Sequence, residues 1–441
     1  MLVYKFGGAS LATPEAIQAV MRIIAARPAG NPMVVVVVSA LGKTTNALEH
    51  LLHVALHDVP HLDEAFNAIA EPHIRLAETL LGEASDGLMA IRRLLGDLET
   101  LVRHLPGHDY DVLYDTVIPY GEMLSSLLLA RYLGLCGEAA QWVDVRAVLR
   151  SDSVHRAATV QLPLSEPLVR QAFSQSGTPL YITQGFIASG PDGSTTTLGR
   201  EGSDYTAALL GAFLGADSVT IWKDVPGFLT ADPKLFPAAQ RIGRLDYREA
   251  IEMAYSGAKI VHPKAIKPLE NASIPLFIRP FGDPSDSGTQ VARCAADVSP
   301  VTLFALREAQ VLLSITPHDF SFALQDALGE VFRILQAHHV RPHLIQTSAL
   351  SLSLCVDDDA QRLPELVQAL QPAFRVTFNT DLVLLAVRHY TLDLDRVFAA
   401  RQGLILCQLT RTTAHYLMRR SDWQERYYSS ICEMVARTAA H

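Results

Sequence analysis

Apolar positions fall into a layered pattern over the first two-thirds of the chain and into a different one after about residue 300. Leu2 to Phe6 reads as a short strand running into Gly7-Gly8. Met33 to Val38 is a continuous, valine-rich apolar run, as in a strand buried on both faces of a parallel sheet. Between them Thr13 can cap a helix with Pro14 at its first position, and Ile17, Val20, Met21 and Ile24 form its buried stripe. Strand, glycine loop, helix and strand in that order make a βαβ unit. Residues 46 to 105 carry helical periodicity and few strand signals, which predicts two or three helices. Val112 to Pro119 leads into a helix from Glu122, with Leu124, Leu127, Leu128 and Tyr132 on one face and Gly134 as its stop. Trp142 to Val145, Leu180 to Thr183, Ser218 to Trp222 and Ile274 to Arg279 read as further strands, and Tyr247 to Ser256 as a helix. The turn-rich run Gly282 to Gly288 marks a boundary near residue 295.

Beyond it the order becomes strand (Val311 to Thr316), helix (Gln325 to His338), strand (His343 to Thr347) and strand (Leu350 to Val356). A helix from Ala360 and a strand over Phe374 to Phe378 complete a βαββαβ, ferredoxin-like unit over 300–380. A second, shorter copy over 381–441 would use strands at Leu382 to Val387, Leu404 to Leu409 and Ala414 to Met418, then a helix from Ser421.

Composition narrows the class. A chain of 441 residues, 49% hydrophobic and 19% charged, suggests two or three compact domains. Its net charge of −9 argues against nucleic acid as a partner, which calls for a basic stripe. The valine run Val34 to Val38 is far too short to span a bilayer, so no membrane partner is expected. The chain opens on a strand with no charged leader and long apolar segment, so no secretory signal is expected. Five scattered cysteines without a CxxC pair fit reduced thiols, and the expected location is cytoplasmic. His53, His57 and His61 recur at four-residue spacing, but without an HExxH frame they read as a solvated helix face.

The chemistry concentrates in Thr195-Thr196-Thr197-Leu198-Gly199-Arg200-Glu201-Gly202-Ser203-Asp204, just before the apolar run Ala207 to Leu214. Ser203 or Asp204 can serve as an N-cap, and a helix opened there directs N–H groups and partial positive charge at an anion. Alone, the stretch also reads as an ordinary capped helix after a tight turn. A second glycine loop, Lys5-Phe6-Gly7-Gly8-Ala9-Ser10, adds an ammonium beside backbone that can approach phosphates closely. Lys5 could equally be a surface lysine at a strand end. Glu122, at a helix start among small residues, suits a substrate ammonium or simply the helix dipole. Arg200 offers a planar fork that fits a carboxylate.

These blocks resemble the aspartokinases of the amino acid kinase family. The matches are KFGGxS at Lys5 to Ser10, VVSA at Val37 to Ala40 with Thr45 beyond, and GEMLSS at Gly121 to Ser126. They continue with QGFI at Gln184 to Ile187, TTTLGREGSDYTAA at Thr195 to Ala208, WKDVPG at Trp222 to Gly227 and GAKIVHP at Gly257 to Pro263. The resemblance implies an α/β fold, a three-layer αβα sandwich with a mainly parallel sheet over 1–295, followed by two α+β ferredoxin-like ACT modules. It also implies transfer of the γ-phosphoryl group of ATP to the side-chain carboxylate of L-aspartate, the first step towards lysine, threonine and methionine. Lys5, Asp204 and Arg200 would be catalytic, and Thr45, Glu122, Phe186, Arg200, Ser203 and Ser39 would line the aspartate pocket. Lys5, Gly7, Gly8, Ser10, Lys223, Asp224, Leu229, Asp232, Lys234 and Lys259 would serve the nucleotide. Magnesium would arrive with ATP, without a dedicated protein cage. A homodimer and an amino-acid effector at the ACT modules are further expectations.

The chain departs from the family pattern in places. Ala9 stands for a usual Thr, Lys223 for a Thr and Leu229 for a Tyr. In lysine-responsive aspartokinases a segment like VDLITTSE offers carboxylates to the effector. The matching stretch here, Arg341 to Ala349, has His343 and Ala349 at the two acidic positions. Lysine alone is therefore expected to be a poor inhibitor, with threonine or no amino acid as effector. Competing readings are a related carboxylate kinase, such as a glutamate or acetylglutamate kinase, and an idle amino-acid sensor. Retention of Lys5, Glu122, Arg200 and Asp204 argues against the latter.

Overall fold

The computed structural model describes residues 1–28, 33–105, 107, 109–173, 179–257, 260–294, 301–318 and 324–438, the side chains of 324–327 excepted. The chain divides into two compact units. The first comprises Met1–Phe228, Arg241–Ile251 and Ile260–Ala295, and the second Leu229–Gln240, Glu252–Lys259 and Ala296–His441.

The first unit is built on an eight-stranded sheet. Its order is Ala140–Val143, Leu180–Gln184, Val34–Val38, Leu2–Phe6, Ser218–Lys223, Leu276–Pro280, Thr289–Val291 and Arg244–Leu245. All neighbours are parallel except Leu276–Pro280 against Thr289–Val291. Every residue of Leu2–Phe6 and of the five-valine strand beside it is buried, as a strand covered on both faces requires. Thr13 caps the helix Pro14–Ala25 as its sequence predicts, its hydroxyl accepting from the Ala16 N–H at 3.2 Å. The accessory region consists of three helices, Thr44–His57, Leu62–Leu81 and Asp86–Arg103. His53, His57 and His61 are exposed there. Two helices then follow, Tyr110–Val117 and Tyr120–Leu135, the second buried nearly all round.

One expectation fails at the helix Gly202–Leu214. Its N-cap is Glu201, in the left-handed conformation (φ 53°) and making no side-chain cap bond. Ser203 and Asp204 lie inside the first turn. The Asp204 carboxylate is drawn instead to two lysines, because a buried carboxylate gains more from ammonium partners than from one peptide N–H.

The second unit carries one six-stranded antiparallel sheet, ordered Leu344–Thr347, Leu352–Asp357, Leu303–Pro317, Phe374–Arg388, Thr413–Arg419 and Leu404–Leu409. The separately predicted strands at 374–378 and 382–387 are one strand of 15 residues. Three apolar cores pack on this sheet: Val311, Leu313, Ile315, Leu354 and Leu366 belong to one, Phe304, Val383, Leu385, Tyr416 and Ile431 to a second, and Leu312, Leu344, Cys355, Leu382, Leu384 and Leu417 to a third.

Candidate active site

Four adjacent parallel strands end at the same edge, and each delivers one part of the site. Leu2–Phe6 runs into Gly7-Gly8, Val34–Val38 into Ser39-Ala40, Leu180–Gln184 into Gly185-Phe186, and Ser218–Lys223 into Asp224. The carboxyl ends of parallel strands are where open α/β sheets bind ligands.

Lys5 is 7% exposed and Asp204 1% exposed, and their charged groups stand 2.7 Å apart. Lys223 approaches the other oxygen of the same carboxylate at 3.1 Å. Burial pushes the Asp204 carboxyl up, but the two ammoniums together hold it below the ordinary aspartate value. Lys223 also donates to the Ile260 carbonyl and lies 3.8 Å from Glu201. Glu201 accepts from the His262 N–H at 3.0 Å, so its carboxylate links the turn after Arg200 to the start of the helix Pro263–Ala272.

Beside this cluster the first glycine loop is packed tightly. A side chain on Gly8 would stand 2.6 Å from the Ala40 carbonyl and 2.8 Å from that of Gly42. Only glycine fits there, which leaves the loop backbone bare towards the strand edge. Ser10 is buried behind it and closes the turn by donating its N–H to the Gly7 carbonyl at 3.0 Å.

Glu122 is 3% exposed. One carboxyl oxygen accepts from the Ala40 N–H at 3.1 Å, and the other has no hydrogen-bond partner among the described residues. Burial raises this carboxyl to about 8, opposed by the Ala40 N–H and by Lys5. A buried carboxyl oxygen left unmatched by the protein is a candidate for contact with a ligand. Phe186 holds φ 72°, fixed by its N–H to Thr206 Oγ1 at 3.1 Å and its carbonyl to Leu198 N at 2.8 Å. Gly185 next to it lies so close to Ser203 that an added Cβ would fall 2.5 Å from the serine Cβ. Thr45, the second residue of the helix Thr44–His57, and Ser39 are half-buried. Arg200 is exposed and pairs with no carboxylate among the described residues.

The remaining expected residues are placed less directly. Asp224 is exposed. Leu229, Asp232 and Lys234 belong to the second unit, where Leu229 is buried and Asp232 accepts from the Lys234 N–H at 2.9 Å. Lys259 lies outside the described residues. Two acids escape sequence reasoning. Glu201 could have been found as a charge inside a glycine turn, and Asp115 as an acid within an apolar helical stretch.

The first 280 residues match the model of the amino acid kinase family. Over 305 residues the chain is 37% identical to the lysine-sensitive aspartokinase 3 of Escherichia coli strain K12, covering 67% of this chain and 68% of that one. The chain belongs to the amino acid kinase family, among its aspartokinases. Two solved structures of E. coli aspartokinase III extend the likeness over 100% of this chain and 99% of theirs, each at 30% identity. The TM-score is 0.83 for the complex with aspartate and ADP and 0.79 for that with lysine and aspartate. The aspartokinase fold thus includes the second unit as well as the first.

Proposed function

We propose that the ATP-dependent aspartate kinase reaction of this chain is carried by Lys5 and completed by Glu122 and Arg200 at the common strand edge. The supporting observation is the buried Lys5–Asp204–Lys223 cluster set beside the unmatched oxygen of Glu122. Phosphoryl transfer needs positioning and charge stabilisation more than covalent help from the protein. Two ammoniums and a bare glycine loop fit a polyphosphate, with Gly7, Gly8, Ser10, Lys223 and Asp224 on the nucleotide side. ATP supplies the phosphoryl group and brings magnesium, which keeps much of its water.

Asp204 fixes Lys5 so that the ammonium meets the moving phosphoryl group without reorganising. The side-chain carboxylate of L-aspartate, with a free pKa of about 3.9, is ionised near neutrality and attacks without a general base. A phosphorus–oxygen bond to this carboxylate forms as that to ADP breaks, giving 4-phospho-L-aspartate. Glu122 receives the substrate ammonium and Arg200 the α-carboxylate, with Ser39, Thr45, Phe186 and Ser203 shaping the pocket. The enzyme works in the cytoplasm as a homodimer, residues 1–295 forming the kinase part and the C-terminal modules receiving any amino-acid effector.

Trapping with hydroxylamine tests the reaction: ATP and aspartate together give the aspartyl hydroxamate, and omitting either gives none. Lys5→Ala lowers kcat by about 100-fold or more while the fold survives. A variant turning over at the wild-type rate refutes the role of Lys5.

A further inference from the structure

The Thr195-Thr196-Thr197 strand is tied down by all three of its hydroxyls. Thr195 Oγ1 accepts from Arg146 at 3.2 Å, and Arg146 is itself held by Asp144 at 2.7 Å. Thr196 Oγ1 and Ser151 Oγ share a buried hydrogen bond of 2.6 Å. Thr197 donates both its hydroxyl (2.6 Å) and its N–H (3.1 Å) to Asp115, which is wholly buried. The same carboxylate accepts from the Arg156 N–H at 3.0 Å and meets His155 Nδ1 at 2.9 Å. The Arg156 guanidinium lies over the Tyr114 ring, 4.6 Å from its centroid, and pairs with Asp111 at 3.0 Å. One helix, Tyr110–Val117, thus holds the 155–156 turn and the end of the threonine strand together through one buried carboxylate.

The ends of this arrangement matter. Thr197 is three residues before Arg200, and Gly199 between them is left-handed (φ 74°) with the Arg156 carbonyl 3.1 Å from where a Cβ would stand. Two residues after Asp115 its helix ends, and Gly121, whose N–H bonds the Ile118 carbonyl at 3.1 Å, is the second residue of the helix that bears Glu122. We propose that Asp115 is a positioning residue for the amino-acid substrate: it fixes Arg200 relative to Glu122, and so selects the length of the dicarboxylate accepted. Asp115 acts through Thr197 and the Gly199 turn and touches no substrate.

The inference rests on the reading of Arg200 and Glu122 as the two substrate partners. Arg200→Ala tests that reading separately: an unmoved aspartate KM there would fail the reading itself. Asp115→Asn keeps the side-chain shape but removes the negative charge around which the Thr197 and Arg156 N–H groups and His155 Nδ1 gather, leaving a neutral amide oxygen in its place. Thr197→Val is the milder change, deleting one hydroxyl hydrogen bond while keeping a β-branched residue in the strand. Steady-state kinetics on both full-length variants are expected to raise the aspartate KM, by about fivefold for Thr197→Val and more for Asp115→Asn. The ATP KM stays within about twofold, and the preference for aspartate over glutamate in kcat/KM falls in parallel. If Thr197→Val leaves the aspartate KM and the aspartate–glutamate preference unchanged, whatever its melting temperature, the proposal is overturned. It is overturned equally if the ATP KM rises as much as that for aspartate, the mark of a merely structural role.

Discussion

Glu122 decides more than its place among small residues suggested. Its carboxyl is held near 8 by burial, so it is largely protonated at neutral pH. On the proposed role of Glu122, an arriving substrate ammonium needs the ionised form, and binding must expel the proton. The KM for aspartate is therefore expected to fall as pH rises from about 6.5 to 8.5 while the KM for ATP stays level. Glu122→Gln abolishes that slope, and steady-state kinetics across the pH range check it. The same proton enters folding. Between 4.5, the value for a free glutamate, and about 8 the folded chain binds a proton that the unfolded chain lacks. Unfolding free energy from this group thus declines as pH rises through the window, by about 1.4 kcal/mol per pH unit, and the Gln variant removes that decline in denaturant titrations. Lys5 and Glu122 could be singled out in the sequence because each stands within two residues of a glycine, a residue that sequence reasoning can interpret. Asp115 could not be, because its partners come from segments some 40 and 80 residues away and no local rule joins them.

At the scale of elements, periodicity served best where burial is simple. The five-valine strand and the Thr13-capped helix follow from residue chemistry alone. The start of the helix Gly202–Leu214 did not, because an ion pair across the fold outweighs a local cap and moves the boundary back to Glu201. This junction also predicts a sharp intolerance. Gly185→Ala pushes a methyl group into Ser203, whose backbone Cα lies 2.6 Å from the new atom, so the first turn of the helix must shift. The substitution should cost about 1–3 kcal/mol in unfolding free energy and raise the aspartate KM. Thermal melts and saturation curves of the one variant read both effects, and a variant with native values in each would show that the turn has room to spare.

For the molecule as a whole, regulation is the open contrast with the lysine-sensitive relative. His343 is only 13% exposed and stands 3.0 Å from Asp357, which its hydrogen bond helps to hold well below the usual carboxylate range. The Asp357 carboxylate at this position is therefore already matched, and Ala349 offers none. Aspartate saturation curves with and without millimolar lysine should differ in midpoint by less than about fivefold, and a larger shift would refute lysine insensitivity. The second unit also gathers a piece from far upstream. Phe236 packs edge-on against Trp423 at 6.4 Å, and the Phe304 N–H bonds the Thr230 carbonyl at 2.8 Å, although both upstream residues follow closely on Lys223 in sequence. The strands Leu303–Pro317 and Phe374–Arg388, paired along nearly their full length, each contribute to all three cores on this sheet. Those C-terminal modules are consequently not cassettes. A chimera that exchanges residues 381–441 alone cuts a strand midway and leaves Phe304 facing a foreign surface. Anyone transplanting effector specificity between such enzymes must carry residues 229–240 and 303–307 along with the tail.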